Sequence, residues 1–582
     1  MNKDRIMKKT GAELALFALE QIGVKYTFGI PGVHNTELYD ALNSSDQITP
    51  ILVTHECGAA FMADAVSRTT DHIGTLVVVP AAGITHAMSG IGEAFLDGIP
   101  MLVITGGVRR DSGKSYQLHQ IDHQKLIGGV VKQVFLAQHH RDIINVIYDA
   151  YALAITGTPG PVFVEIPSNL LLFQDSVDDM PPYQPPSHKR PLDAIKIKQA
   201  ATMLKQARKP GLYLGWGAVH CKDLSITLAE QLNMPVSTTL QGLSAFPASH
   251  PLHTGMGFGQ SAVPAAQNAF ASCDCLLAAG VRFSELATAS YGLPVPENLI
   301  HVDINRDVFD RNYQSKISIQ GDTKNIFEAL LKELDSKEIH NDNNGIQSKI
   351  IQDKAAYQQE WASMPEKNRV SPYHFFQALN KRLSDSAYIA VDDGNHTFLT
   401  MELLPINQPR HFISPSDFNC MGYCIPAAIA TKLCHPDNQV VGIVGDGAFM
   451  MTCMEIITAS IHHLGVIFFV FHDGELGQIS QFQSIPLNRK TCTILGDIQL
   501  DGIAKGTGAA FIEINTNREI DSQMDKAFQI SKTGQPVIVD VSIDYTKKSR
   551  FTKGVVKTNL GRFPLGEKVR FIGRAVKRHI FG

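Results

Sequence analysis

Val440-Val-Gly-Ile-Val-Gly-Asp-Gly447 runs from an unbroken apolar stretch straight into a Gly-Asp-Gly turn, then through Ala448-Phe449 into a helix-like segment ending near Ser460. An apolar run without alternation predicts a strand covered on both faces, as in parallel sheets. A turn of this kind at a strand's carboxyl end puts a carboxylate and free backbone N–H groups where phosphates and their metal bind. The pattern returns at Val466–Phe471, which ends in His472-Asp473-Gly474-Glu475. Asp473 lies 27 residues after Asp446, room for strand, helix and strand, so the two strand ends become neighbours. Asp446 and Asp473, with Glu475 beside them as a third candidate ligand, could then join phosphate oxygens in an octahedral Mg²⁺ shell. Two loop carboxylates without a metal are the plainer alternative.

Outward from this stretch, the same α/β alternation fills the chain. A first region, residues 8–173, has buried-strand candidates at Thr75–Val79 and Met101–Thr105. A second, residues 192–334, has short strands ending in glycine or turn residues at Gly211–Gly215, Cys275–Gly280 and Leu299–Ile304. The third spans residues 371–549. Asp175–Pro191, with five prolines, and the lysine-rich Asp335–Val370 read as connectors. The fold class expected is α/β, with three doubly wound parallel-sheet domains.

Composition sets outer limits. The 582 residues are too many for one core. A formal net charge of −4 gives no global reason to expect nucleic acid as a partner. Nine scattered cysteines form no C-x-x-C pair, which argues against structural zinc and fits reduced thiols in a cytoplasmic protein. Glu13 and Glu20 interrupt the apolar N-terminal run, so an amphipathic helix is expected there rather than a signal peptide.

The tail, residues 550–582, carries nine Lys/Arg against one Glu. Val569, Ile572, Val576 and Ile580 fall at helical spacing among Arg570, Arg574, Lys577 and Arg578. A helix packed on the body with a solvated basic face is the expectation; contact with an anionic ligand or lipid headgroups is the lesser alternative.

The run Gly445–Gln483 resembles the thiamin diphosphate enzymes, whose signature is Gly-Asp-Gly, about 25 residues, then Asn-Asn. It looks like the acetolactate synthase version, including Gly477 and the triplet Gln481-Phe482-Gln483, but with His472-Asp473 in place of Asn-Asn. The segment His55-Glu56-Cys57-Gly58-Ala59-Ala60-Phe61-Met62-Ala63-Asp64 resembles the family's activating-glutamate segment. Phe28–Gly32 and Phe95–Pro100 fit as well, and the likeness covers roughly residues 10–545.

The resemblance implies pyrimidine-binding, middle and diphosphate-binding domains, in that order. It implies that Glu56 hydrogen-bonds the aminopyrimidine ring of thiamin diphosphate and so makes its amino nitrogen a base. It implies cofactor contacts at Pro31, Gly32, Gly394, Asn395, His396, Gly445, Gly447, Ala448 and Gly477, and Met421 as the residue that bends the cofactor. It also implies a homodimer or homotetramer with the active site between subunits. FAD stays open as a further cofactor, on Leu214–Ala218, Gly255-Met256-Gly257 and Arg282.

The likeness thins around the substrate. Leu118-His119-Gln120 replaces Phe-Gln-Glu, Ile84-Thr85-His86-Ala87 follows an altered proline loop, and Leu286 stands where an arginine is usual. Lys132 matches a family lysine. His86, His119 and Gln120 are therefore the further catalytic candidates, His34, His55 and His472 lying on adjoining segments. The expected activity is decarboxylation of a 2-keto acid such as pyruvate, with joining of the remainder to a second carbonyl. Alternatives are lysis or decarboxylation of another substrate (a 2-hydroxyacyl-CoA or an aryl keto acid) and a cofactor-binding scaffold without activity.

Overall fold

The structure, a computed structural model, describes residues 7–186, 191–334 and 341–581. Three six-stranded sheets dominate it, each wholly parallel. The first runs Thr49–Leu52, Tyr26–Gly29, Gly74–Val78, Met101–Gly107, Pro161–Pro167, Val134–Leu136. Numbered along the chain within the sheet, that order is 2-1-3-4-6-5. The third sheet repeats it with Phe412–Ile413, Tyr388–Val391, Val440–Gly445, Ile467–His472, Val537–Ser542 and Ala510–Ile514. The middle sheet differs, running His253–Met256, Val236–Thr238, Pro210–Leu214, Cys275–Ala279, Asn298–Asp303, Ile317–Gln320, or 3-2-1-4-5-6. Strand order reverses in the first and third sheets between strands 1 and 3, and crevices at such reversals are where α/β sheets bind ligands.

The first and third domains share one interior. The Glu56–Thr69 helix is buried almost throughout, between the Ala82–Asp97 helix and the third-domain helix Cys424–Cys434. Its run of Gly58, Ala59, Ala60, Ala63 and Ala65 lets both neighbours come close. At Gly90 a Cβ would collide with the Ala60 side chain, so glycine is required there. Polar groups tie the same seam. Arg68, 1% exposed, pairs with Asp64 at 2.5 Å and Asp97 at 2.8 Å. From the third domain, the Tyr423 hydroxyl donates to Asp64 and the Ser416 hydroxyl to Asp97, each at 2.7 Å.

Both expected connectors hold structure. Gln174–Val177 pairs antiparallel with Met7–Thr10. Asp335–Val370 contains a helix, Ile346–Ala362, anchored by Tyr357 and Trp361, 5% and 1% exposed. Its polar exposed face hid that buried pair.

The tail also departs from expectation. The Arg550–Arg562 helix does dock on the body: Gln260 Nε2 donates to Thr558 and Arg562 to the Ser290 carbonyl, both at 2.9 Å. The following helix, Leu565–Phe581, keeps its apolar stripe in solvent: Val569, Ile572, Val576 and Ile580 are all more than half exposed. Its periodicity marked the stripe correctly, but periodicity does not say which side meets the protein.

Candidate cofactor and active site

At the strand-order reversal of the third sheet, the ends of Tyr388–Val391 and Val440–Gly445 open into a cavity of about 190 Å³. It is lined by Gly394, Asn395, His396, Met421, Gly445, Asp446, Gly447, Ala448, Asp473, Glu475 and Gly477, so every third-domain residue expected to hold cofactor or metal faces one space, while His472 and Gln481–Gln483 do not line it. Asp393, Asn419, Gln478 and Tyr545 join them.

The turn is pre-tied. Asp446 Oδ1 accepts the Gly447 amide at 2.8 Å, and its Oδ2 accepts Gly474 at 2.7 Å and Asp473 at 3.3 Å. One carboxylate thus holds both strand ends together. Burial raises the Asp446 carboxyl, and burial followed by the Asp446 charge pushes Asp473 up to about 7. Two carboxylates that disfavour each other's charge are what a divalent cation would relieve. Glu475 is engaged elsewhere, its carboxylate gripping the Lys490 ammonium at 2.5 and 2.7 Å. His472 donates toward Asp540, 3.1 Å away, a bond that, ahead of burial, raises the imidazole above its usual range.

The cavity wall keeps polar atoms unmatched by protein. His396 Nε2, Asn395 Nδ2 and Gln478 Oε1 are buried without a hydrogen-bond partner. Burial pushes His396 down to about 3, so it stays neutral and offers a ring N–H. Buried polar groups without partners are costly, and a diphosphate would satisfy the donors among them. Close approach is secured by glycine: Gly394 sits at φ +149°, and a Cβ there would meet the His396 ring at 2.7 Å. A Cβ on Gly477 would collide with the Asp473 carboxylate. The residues present fit thiamin diphosphate and its Mg²⁺.

The first domain brings together a second group. Glu56, 7% exposed, opens its helix, and His86 Nδ1 lies 3.0 Å from Glu56 Oε2. His55 stacks on His86 with ring centroids 4.7 Å apart and caps the helix by accepting the Cys57 amide. From the third domain, Glu455 accepts the Thr54 amide and hydroxyl, the latter at 2.7 Å, and so fixes the turn that presents Glu56. Gly83 lies beside the carboxylate, where a Cβ would press on Val79 at 2.9 Å and touch Glu56 Oε1 at 3.4 Å.

His119 and Gln120 stand apart from Glu56. His119 packs edge-on against His34, centroids 5.3 Å apart, and the exposed Gln120 accepts the Gln117 amide at 2.9 Å. Pro31 is exposed, while the Gly32 amide donates to Asn35 Oδ1 at 2.7 Å. Lys132 is a helix cap: its ammonium donates to the Leu153, Thr156 and Thr158 carbonyls at 2.5–2.7 Å.

Two of the segments offered to FAD, Leu214–Ala218 and Arg282, also make structural contacts. Gly217 and Gly280 are in backbone contact that a Cβ on either would break. Arg282 pairs with Asp417 of the third domain at 2.6 Å and donates to the Leu96 carbonyl of the first. The space beside Trp216 and Arg282 is about 30 Å³, and Gly255 and Met256 line a separate cavity of about 210 Å³.

Sequence reasoning passed over Glu93 and Asp392. Glu93 accepts the Ser416 and Cys420 amides, both at 3.0 Å, and Asp392 accepts Gly422 at 2.9 Å and Cys424 at 2.8 Å. Together they clamp the loop that carries Met421. A lone Glu inside the run Ile91-Gly92-Glu93-Ala94 was the available signal, since carboxylates are rarely buried without partners.

Three family models match the chain: the thiamine pyrophosphate enzyme N-terminal TPP binding domain over residues 9–126, the central domain over 197–330 and the C-terminal TPP binding domain over 392–541. Among relatives, the acetolactate synthase large subunit of Haemophilus influenzae is 32% identical, over 92% of this chain and 95% of its own. The acetolactate synthase isozyme 1 large subunit of Escherichia coli is 30% identical, over 93% and 95%. A probable acetolactate synthase large subunit of Methanocaldococcus jannaschii is 29% identical, over 92% of each.

Proposed function

This chain belongs to the thiamine pyrophosphate enzymes, and from that premise we propose that it is an acetolactate-synthase-like catalyst of decarboxylation and carboligation. The substrates proposed are 2-keto acids, with pyruvate as the donor. The observation that carries this reading is the third-domain cavity, where Asp446, Asp473, His396 and the glycines at 394, 445, 447 and 477 converge around unmatched polar atoms.

Asp446 and Asp473 would hold the Mg²⁺ ion, and His396 with Asn395 the diphosphate. Bound thiamin diphosphate supplies a nucleophilic carbon and an electron sink for loss of CO₂. Glu56, nearly fully buried, would hydrogen-bond the cofactor's aminopyrimidine ring, and His86, 3.0 Å away and half-exposed, would carry protons between that site and solvent. His55 keeps the His86 ring oriented by stacking. Clamped by Glu93 and Asp392, Met421 presents a fixed wall to the cofactor.

No first-domain residue lines the third-domain cavity within the chain. That supports a homo-oligomer in which Glu56 of one subunit serves the cavity of another. Leu286 offers no guanidinium fork to a second carboxylate, which supports loose choice of acceptor. Nine free cysteines support a reducing, cytoplasmic setting.

The test is to supply purified protein with thiamin diphosphate, Mg²⁺ and pyruvate and to follow CO₂ and acetolactate together. One acetolactate per CO₂ is expected. CO₂ without acetolactate would replace this reading with a simple decarboxylase, and neither product would sink it.

A further inference from the structure

The Leu565–Phe581 helix is docked with its apolar side outward. Leu565, Val569, Ile572, Val576 and Ile580 are 77, 64, 51, 51 and 66% exposed and form one stripe at the helical repeat. The side toward the protein carries Lys568, Phe571, Arg574, Ala575 and Arg578, each half-buried. Arg578 anchors it, donating to the Leu487 carbonyl at 3.1 Å while its own carbonyl accepts from Asn488 at 2.8 Å. A helix recruited only for stability would bury the stripe and leave its cations in water. Here the cohesive face remains available to something else.

Charge identifies the occupant. The helix carries five cations against one anion, Glu567, which Arg570 holds at 2.5 Å; Lys568, Arg574 and Arg578 are half-buried on the protein side, while Arg570 and Lys577 stay exposed outside it. This positive strip stands out on a chain of formal net charge −4. An apolar stripe bordered by Lys and Arg is the pattern of helices that lie in the plane of a bilayer. Acidic headgroups complement the cations, whose aliphatic stems can follow the stripe into the interface. A second copy of the same helix would set cations against cations. At 17 residues the helix lies on a membrane rather than across it, and no described helix is long and apolar enough to span one.

We propose that the Leu565–Phe581 helix is a docking surface for anionic phospholipid bilayers. It acts as a peripheral, in-plane anchor whose stripe of Leu565, Val569, Ile572, Val576 and Ile580 enters the headgroup–acyl boundary.

Full-length protein tested by vesicle flotation decides the matter. Vesicles of phosphatidylcholine with about 30% phosphatidylglycerol should carry the protein upward, and pure phosphatidylcholine should bind it about tenfold more weakly. Raising NaCl from about 0.05 to 0.5 M should release much of it. The double variant I572D/V576D, substituted at solvent-facing positions, should keep its unfolding temperature and lose binding by about tenfold or more. R570E/K577E should lose only the preference for anionic vesicles. Wild-type protein that never floats, or I572D/V576D protein that floats as well, would overturn the proposal. So would a change in sedimentation coefficient in I572D/V576D without any vesicle binding by the wild type, because the stripe would then be seated on another copy.

Discussion

Glu93 Oε2 accepts the Cys420 amide at 3.0 Å, so a helix of the first domain holds the loop from which Met421 faces the third-domain cavity. Burial first, then the neighbouring Asp97 charge, keep the Glu93 carboxyl well above its usual range. It therefore works as a neutral acceptor. Glu93→Ala would orphan the Ser416 and Cys420 amides at about 1–3 kcal/mol each, read by denaturant unfolding, and should weaken cofactor binding. Glu93→Gln, whose single oxygen can accept only one of the two amides, should restore part of both. Equal damage in the two variants would show that Glu93 acts as an anion.

Glu56→Gln should leave thiamin diphosphate bound while nearly abolishing exchange of the cofactor's C2 proton. Quenching in deuterium followed by proton NMR measures that rate. Wild-type exchange in the variant would remove Glu56 from its assigned role. His86→Ala should slow exchange by about tenfold to a hundredfold, because Glu56 keeps its position but loses the neighbour that links it to solvent.

Asp446 ties the Gly447, Asp473 and Gly474 amides as well as facing the cavity, so Asp446→Ala should abolish Mg²⁺-dependent cofactor binding and also loosen the turn. Asp473→Asn should be far milder, since an amide oxygen still ligates and one of two opposed carboxylates is relieved. Isothermal titration with thiamin diphosphate and Mg²⁺ separates them. Complete loss in both would give Asp473 a role beyond coordination.

Subunit exchange tests the oligomer. Mixing Glu56→Gln with Asp446→Ala protein should rebuild one intact site per mixed dimer and return part of the activity. Proven exchange without any recovery would place both residues of a site in one chain.

Burial sets the charge of Lys354. Its ammonium donates to the Ala248 carbonyl at 3.1 Å and to His253 Nδ1 at 3.2 Å, and burial pushes its pKa down to about 8. The unfolded chain, with an ordinary lysine near 10.4, holds that proton more tightly between about pH 8 and 10.4. Stability from this group therefore rises with pH across that window, by about 3 kcal/mol in total. Lys354→Met should flatten that rise in urea unfolding measured at several pH values. An unchanged slope would place the titration elsewhere.

How far the sequence could be read depended on how local each signal was. Gly445-Asp446-Gly447 was legible because a strand end and its turn are contiguous, and Gly394-Asn395-His396 only through the family resemblance; the structure sets both at one cavity. Lys132, Arg282 and Glu93 were not, because their partners lie 21 to 327 positions away and no spacing announces them. Lys132 matches a family lysine by position, and its ammonium closes a helix end. Tyr357 and Trp361 sat at helical spacing within a lysine-rich stretch, where the exposed face outweighed the buried one. In the tail, the stripe was visible but its direction was not.

The shared interior of the first and third domains limits how the gene can be rearranged. Phe61 and Ala63 belong to the same core as Tyr423, Ala427 and Ala430, across more than three hundred positions of sequence. Dividing the coding sequence into two open reading frames would leave each product with half of that core turned to water. Recombination that swapped either domain alone between divergent copies would meet the same mismatch at Arg68, Asp64 and Tyr423. The middle domain carries two cores built from its own buried residues, yet Leu240, Leu243, Met256 and Ala289 sit in the third domain's core and Arg282 pairs with Asp417, so its exchange would also redraw a neighbour.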